Sequence, residues 1–198
     1  MQGSNDLIAA DIAWHMYQYA SSLGHAWITP NVLVYDWESD LLTVSPDGFA
    51  CEIEIKVSRS DLMNDLQKPK HREGILMNGA KASIARSASR RIDGDPSTRP
   101  IRPNFFCFAL PCSVYRGMQR GTLPPYAGIY TVDGAGRVFE EKRPILLHDR
   151  RMTQNELLGL ARRMHVRYWA QVGRERRTAS AETGNVKDPS GDRGIDRA

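Results

Sequence analysis

The sequence predicts an α/β domain in which helices flank a mixed central β-sheet. Segments with a helical period alternate with short apolar segments, in the order helix, strands, helix, strand, strands, helix. Turn-forming sequences at 45–48 and 133–136 each separate two such apolar segments and predict hairpins. The chain has 198 residues, of which 41% are hydrophobic and 25% charged, so it is long enough to bury a core without disulfides.

The first half of the chain contains two predicted helices around a group of strands. Residues 5–21 are predicted to be helical because their apolar side chains recur at helical spacing. Residues 31–35, 40–44 and 49–57 are rich in apolar and β-branched side chains and are predicted to be strands. A short helix is predicted over 58–68, with Ser58 or Ser60 as its N-cap and acidic residues in its first turn. The apolar positions of the first helix are Ile8, Ile12, Met16 and Tyr19.

The second half of the chain contains a continuous apolar run. Residues 105–110 lie between two prolines and are predicted to form a buried central strand. Residues 129–132 and 137–140 are predicted to form the second hairpin. Thr153 and Glu156 have the spacing of a capping box, which predicts the start of a last helix.

We expect one domain over residues 1–172. Residues 69–103 are basic, contain scattered Gly and Pro, and are predicted to be an insertion. Residues 173–198 contain almost no large apolar side chains, so a disordered polar tail is predicted there.

The charge of the chain changes sign at Lys56. Residues 1–55 contain no Lys or Arg and carry a charge of −8, so the remainder carries +12. This asymmetry favours a polyanionic partner and a cation site among the acids. The sequence has no apolar run long enough to span a membrane and no signal-peptide pattern. The three cysteines form no CxxC pair, so we expect a cytoplasmic protein without a disulfide framework.

The strand at 49–57 has one wholly apolar face and one charged face. Glu52, Glu54 and Lys56 alternate along the strand and therefore share the charged face. A solvated outer face would also produce this pattern. Asp40, however, lies on the preceding strand, and pairing about the turn at 45–48 would bring its carboxylate near Glu54. Two such carboxylates with a backbone carbonyl form the oxygen set that Mg²⁺ prefers.

Asp40, followed after 13 residues by Glu54-Ile55-Lys56, resembles the core motif of the PD-(D/E)XK nucleases. The segment 54–65 is similar to the one that follows this motif in MmcB-like DNA-repair proteins and related small phage nucleases. The chain departs from that pattern at the insertion 69–103 and at Ser39, which stands where the motif has proline. The departure at Ser39 leaves open whether Asp40 or Glu38 is the first carboxylate, and we favour Asp40. Further similarity lies at 103–111, 124–129, 134–138 and 160–163.

The resemblance implies a restriction-endonuclease-like core and a metal-dependent nuclease that hydrolyses the phosphodiester bonds of DNA, in DNA repair or phage DNA processing. It implies that Asp40, Glu54 and the carbonyl of Ile55 bind Mg²⁺, for which Mn²⁺ would substitute, and that Lys56 orients or activates the attacking water. The alternative is a non-catalytic DNA-binding module that keeps the fold. A third possibility is an interaction protein with no role on nucleic acids.

Two further sets of residues are candidates for supporting roles. The accessory candidates share a position near the motif or on the first helix, and each also has a structural explanation as a surface charge or a helix cap. The DNA-binding candidates are basic residues after the second helix, where a solvated basic loop is the alternative. The accessory candidates are Glu52, Glu38, Asp11, Ser58 and Asp61, and the DNA-binding candidates are Lys68, Lys70, Arg72, Arg90 and Arg91.

Overall fold

The structure is a computed structural model that describes residues 7–35, 37–71, 103–119 and 121–183, the last five without their side chains. It separates into two compact units, Met1–Leu157 and Leu158–Ala198. The first unit contains the whole sheet, and the second contains most of the last helix. The predicted insertion at 69–103 and the end of the predicted tail lie almost entirely outside the described residues.

Six strands form one mixed sheet in the order β1-β2-β3-β4-β5-β6. The pairs β3–β4 and β4–β5 are parallel, and the other three pairs are antiparallel. The predicted α/β class with a mixed sheet flanked by helices is therefore confirmed. The strands are β1 (Trp27–Leu33), β2 (Glu38–Val44), β3 (Ala50–Ile55), β4 (Phe105–Pro111), β5 (Gly128–Val132) and β6 (Val138–Lys142).

Four helices are described. The first two are close to the predicted segments, whereas the third was not predicted because it is only five residues long. The fourth begins at the predicted capping box, where the backbone N–H of Thr153 donates to Glu156 at 2.7 Å and the N–H of Glu156 donates to the Thr153 hydroxyl at 3.3 Å. The helices are α1 (Ala9–Ser22), α2 (Arg59–Asp65), α3 (Cys112–Arg116) and α4 (Gln154–Thr183).

The helix α4 continues past residue 173, where the polar tail was predicted to begin. Its last part is rich in Arg, Glu and Ala, which are good helix formers, so it needs no large apolar side chain to remain helical. The side chain of Gln171 donates to Glu175 at 2.8 Å, one turn further on. The prediction of disorder is therefore corrected for residues 173–183.

The two faces of the sheet carry different layers. On one face, Ile12 and Met16 of α1 pack against Cys51, Ile53 and Ile55 of β3. On the other face, α2 packs through Leu62 against the rings of Phe106 and Phe108 of β4. Because side chains alternate along a strand, Glu52 and Glu54 lie on the α2 side.

Asn104 connects three parts of the first unit just before β4. Its side-chain oxygen accepts the backbone N–H of Ala50 at 2.8 Å. Its amide nitrogen donates to the carbonyl oxygens of His148 at 2.9 Å and Arg150 at 2.7 Å. This buried side chain therefore fixes the start of β3 to the segment that precedes α4.

Candidate active site

The hairpin of β2 and β3 brings Asp40 to the end of β3. The turn at 45–48 closes with the N–H of Gly48 donating to the carbonyl of Ser45 at 2.9 Å, and Gly48 has φ +82°, which favours glycine. The strands pair with Leu41 opposite Ile53 and Leu42 opposite Glu52. Asp40 follows in this register at the level of Glu54, as the sequence predicted.

The ammonium of Lys56 lies between the two carboxylates. Its Nζ is 2.8 Å from Glu54 Oε2 and 3.5 Å from Asp40 Oδ2. Asp40 Oδ2 also accepts the backbone N–H of Ile55 at 2.8 Å. Three residues that the sequence singled out therefore converge on one point, and the solvated outer face considered for Glu54 and Lys56 is excluded because both side chains are buried.

Lys56 carries its positive charge at neutral pH. Burial acts to lower its pKa, but Glu54, Asp40 and Asp65 together raise the pKa above its usual value. The amine therefore holds its proton in this arrangement. It can attract a phosphate oxygen or orient a water molecule, whereas a role as general base would require loss of that proton.

The acids of the site differ in pKa because their surroundings differ. Burial raises the pKa of Glu52 to about 8, and the charge of Glu54 adds to this effect. Burial also raises the pKa of Asp40. For Glu54 the effect of burial is outweighed by Lys70 and Lys56, which lower its pKa. At neutral pH, Glu52 is therefore largely protonated while Glu54 is ionised.

Glu52 is buried beside the other acids of the site. Its side chain is fully buried, and the indole nitrogen of Trp37 donates to its Oε1 at 2.7 Å. Its Oε2 is buried and accepts no hydrogen bond from the described residues. Glu52, an accessory candidate from the sequence, thus lies next to the site. Its contact with Trp37 was not indicated by the sequence pattern.

A second group of site residues was not identified from the sequence. Asp65, at the end of α2, is 1% exposed, and its Oδ1 is 3.4 Å from Lys56 Nζ. Its Oδ2 is 2.8 Å from His71 Nε2, and His71 Nδ1 is 2.8 Å from the hydroxyl of Tyr126. Burial opposes ionisation of Asp65, but the hydrogen bonds from His71 and Lys68 lower its pKa. Leu62 lies three residues before Asp65 on the same helix, so the two side chains share a face. Because an apolar residue such as Leu62 is expected to face inward, this spacing was the available signal that Asp65 also does.

The remaining accessory candidates have structural roles or lie outside the cluster. Asp11 is exposed on α1, on the opposite face of the sheet, and its carboxylate accepts the N–H of Ile8 at 3.1 Å. Ser58 caps α2 by accepting the N–H of Asp61 at 3.1 Å, and the Asp61 side chain is exposed. Glu38 is exposed at the start of β2.

The DNA-binding candidates are placed differently from one another. Lys68 is exposed over 56% of its side chain and pairs with Asp65. Lys70 is buried, with only 6% of its side chain exposed, and its Nζ contacts Glu54 Oε1. Lys70 therefore lies neither in the solvated basic loop nor at the surface position that contact with a phosphate backbone would need. Arg72, Arg90 and Arg91 lie outside the described residues.

A backbone feature of β1 lies opposite Asp40. Asn31 falls between the pairs Pro30–Leu41 and Val32–Ser39, so its register position faces Asp40. Its φ is +47°, in the left-handed region that non-glycine residues seldom adopt, although Asn does so more readily than most. This conformation interrupts the regular pairing beside the first carboxylate.

The described residues lack two kinds of feature. No group of three or more His, Cys, Asp or Glu side chains in this part of the chain is arranged to hold a metal ion. Within the same residues, no helix combines the length and the apolar character needed to cross a membrane.

Comparisons with known proteins give little further information. No protein-family model and no curated protein matches the chain. Among solved structures, the chain is similar to a protein of unknown function from Silicibacter pomeroyi, with 14% sequence identity and a TM-score of 0.44. The match covers 96% of this chain and 99% of that one. A match at this level supports no conclusion about fold or function.

Proposed function

We propose that this protein is a Mg²⁺-dependent DNA nuclease with a restriction-endonuclease-like core, acting in DNA repair or phage DNA processing. The observation that carries the proposal is the convergence of Asp40 and Glu54, from two neighbouring strands, on the ammonium of Lys56. The resemblance of Asp40 and residues 54–56 to the PD-(D/E)XK motif supports the same function. The mixed sheet with helices on both faces is compatible with the proposed core.

The donor set of the site fits Mg²⁺. Asp40 and Glu54 supply carboxylate oxygens, and the carbonyl of Ile55 is the third protein oxygen in the proposed set. Two carboxylates and a carbonyl do not amount to three acidic, His or Cys side chains, so the absence of such a group from the described residues does not exclude this set. When bound, Mg²⁺ would supply Lewis-acid polarisation of the phosphodiester.

Lys56 would act through its charge. Its ammonium lies within 3.5 Å of three carboxylates, so a phosphate oxygen or the attacking water would meet a donor already in position. A fixed positive charge in a buried site stabilises the extra negative charge that develops on the phosphate during in-line attack. Asp40, held by the N–H of Ile55, keeps its carboxylate directed at the same point.

A cleavage assay tests the proposal. Wild-type protein, Lys56→Met and Arg143→Ala are incubated with single-stranded, double-stranded and branched DNA in the presence of Mg²⁺ or Mn²⁺. We expect cleavage by the wild type and loss of cleavage in Lys56→Met, which keeps the aliphatic volume. Arg143, whose side chain is 91% exposed, controls for the loss of one positive charge and should remain active. Absence of cleavage by the wild type on every substrate would show that the enzymatic proposal is wrong.

One observation favours the second candidate, a DNA-binding module without catalysis. Both oxygens of Glu54 already face lysine ammonium groups, Lys56 on one side and Lys70 on the other, as in a purely structural ion-pair network. Such a module would bind DNA with strong salt dependence, and neither Asp40→Asn nor EDTA would change the affinity. A nuclease would lose cleavage under both conditions.

A further inference from the structure

Lys70 is a buried lysine directed into the candidate active site. It lies just after the turn that follows α2, and its Nζ contacts Glu54 Oε1. The same nitrogen is 3.8 Å from Glu52 Oε1 and 3.8 Å from Asp65 Oδ2. Burial of a lysine is costly unless carboxylates compensate its charge, so the ionised Glu54 and Asp65 account for its inward position.

The position of Lys70 conflicts with a metal on the same oxygen. A Mg²⁺ ligand oxygen lies about 2.1 Å from the ion, which leaves no room for an ammonium on the same side of the carboxylate. Lys56 already occupies Glu54 Oε2 at 2.8 Å, and Lys70 occupies Oε1. A divalent cation that binds either oxygen of Glu54 is repelled by the ammonium on that oxygen, and movement of one amine relieves the repulsion.

The site already contains cations that face its acids. Lys56 and Lys70 contact Glu54, and Lys68 pairs with Asp65. A divalent cation that approaches Glu54 meets the repulsion of the two ammonium groups already there, so its binding is unfavourable unless one ammonium moves away.

We propose that Lys70 is an internal counter-ion, which holds Glu54 when no divalent cation is present and leaves it when Mg²⁺ binds. Of the two amines, Lys56 is held by three carboxylates at 3.5 Å or less, whereas Lys70 makes one such contact and two at 3.8 Å. In the same position the Lys70 ammonium lies 5.7 Å from the ring centre of Phe106, an attractive contact that does not depend on Glu54. This inference rests on the proposed function.

Calorimetric titration with Mn²⁺ tests the inference without DNA and without activity. The full chain is freed of metal with EDTA, dialysed, and titrated with MnCl₂ as wild type, Lys70→Met and Lys68→Met. We expect Lys70→Met to bind Mn²⁺ roughly tenfold more tightly because the competing cation is gone. Lys68→Met removes the same charge from an exposed neighbour and should change the affinity by less than about threefold.

The outcomes separate this inference from the proposed function. One outcome is that the wild type binds Mn²⁺, that Glu54→Gln abolishes this binding, and that Lys70→Met binds no more tightly than the wild type. In that case Lys70 is not the competing cation, but the metal site stands. If neither the wild type nor Lys70→Met binds Mn²⁺, or Glu54→Gln binds it as the wild type does, the metal site itself is wrong. Lys70→Gln, which retains a hydrogen-bond donor for Glu54, replaces Lys70→Met if circular dichroism shows that the latter is unfolded.

Discussion

The carboxylate of Asp40 is fixed by the backbone of Ile55, whose N–H donates to its Oδ2 at 2.8 Å. Ile55 separates Glu54 from Lys56, so one backbone bond aligns Asp40 with both partners. The side-chain oxygen of asparagine can accept the same bond but carries no charge. Substitution of Asp40 by asparagine therefore removes the charge while the side chain keeps its position.

For Asp40→Asn we expect loss of DNA cleavage by about 100-fold or more, because the charge that faces the cation and Lys56 is gone. The melting temperature should change little, since the bond from Ile55 is retained. Initial cleavage rates and thermal melts measure the two effects. Cleavage at the wild-type rate would show that Asp40 is not part of the reaction, whereas a large fall in melting temperature would show a mainly structural role.

Glu52→Gln should stabilise the protein increasingly as the pH rises. The pKa of Glu52 is about 8 in the folded chain and near its usual lower value in the unfolded chain, so the folded state binds the extra proton between those values. The wild type therefore loses stability across that window, and the loss is complete above about pH 8. Glutamine has no proton to lose, and its carbonyl can still accept the Trp37 indole N–H.

We expect the two proteins to differ little near pH 5, and the variant to be more stable by at least about 1 kcal/mol at pH 8.5. Urea unfolding in EDTA at several pH values measures the difference. Glu38→Gln, at an exposed position of β2, is the matched control and should show no such pH-dependent gain. A variant less stable than the wild type at pH 8.5 would mean that the fold stabilises the ionised form of Glu52, which contradicts a raised pKa.

Asn104→Ala should destabilise the first unit by about 3 kcal/mol, because the buried N–H of Ala50 and two carbonyls lose their partner. Thr122→Ala removes one exposed side-chain hydrogen bond and should cost less than about 1 kcal/mol. Chemical denaturation of both variants provides the comparison. Equal costs for the two variants would show that Asn104 does not connect β3 to the segment before α4.

Gly128→Ala should destabilise the sheet by about 2 kcal/mol. A Cβ at this position would lie 2.8 Å from Cys107 Sγ, 2.8 Å from Pro144 Cδ and 2.9 Å from the Pro144 backbone nitrogen, and backbone cannot easily yield. At Gly134 a Cβ would meet nothing within 4 Å, so Gly134→Ala is the control. Thermal melts that show the same change for both would contradict the close packing of β5 against β4.

Parts of the site could be predicted because they depend on local rules. The turn at 45–48 and the alternation of side chains placed Asp40 near Glu54, and the structure agrees. The N-cap role of Ser58 also follows from a neighbouring residue. These predictions needed only the geometry of one hairpin and one helix start.

The inward side chains of α2 and the turn after it could not be predicted in the same way. Asp65, Lys70 and His71 are charged or polar residues in a basic stretch, and such residues are usually solvated. They are buried because they compensate one another and the acids of β3, which only the packing of α2 on the sheet brings together. A pattern of single residues contains no information on that compensation.

The contacts that build the site differ greatly in the length of chain they close. The bond from Ile55 to Asp40 joins residues 15 apart in the sequence, whereas the bond from Ala50 to Asn104, beside β4, joins residues 54 apart. Closing the longer loop costs more entropy, and contacts between distant residues slow folding. The two carboxylates can thus meet early on the folding pathway, while β4, whose Phe108 pairs with Glu54, is added later. Until then, the future site is an open acidic hairpin, accessible to any cation in solution.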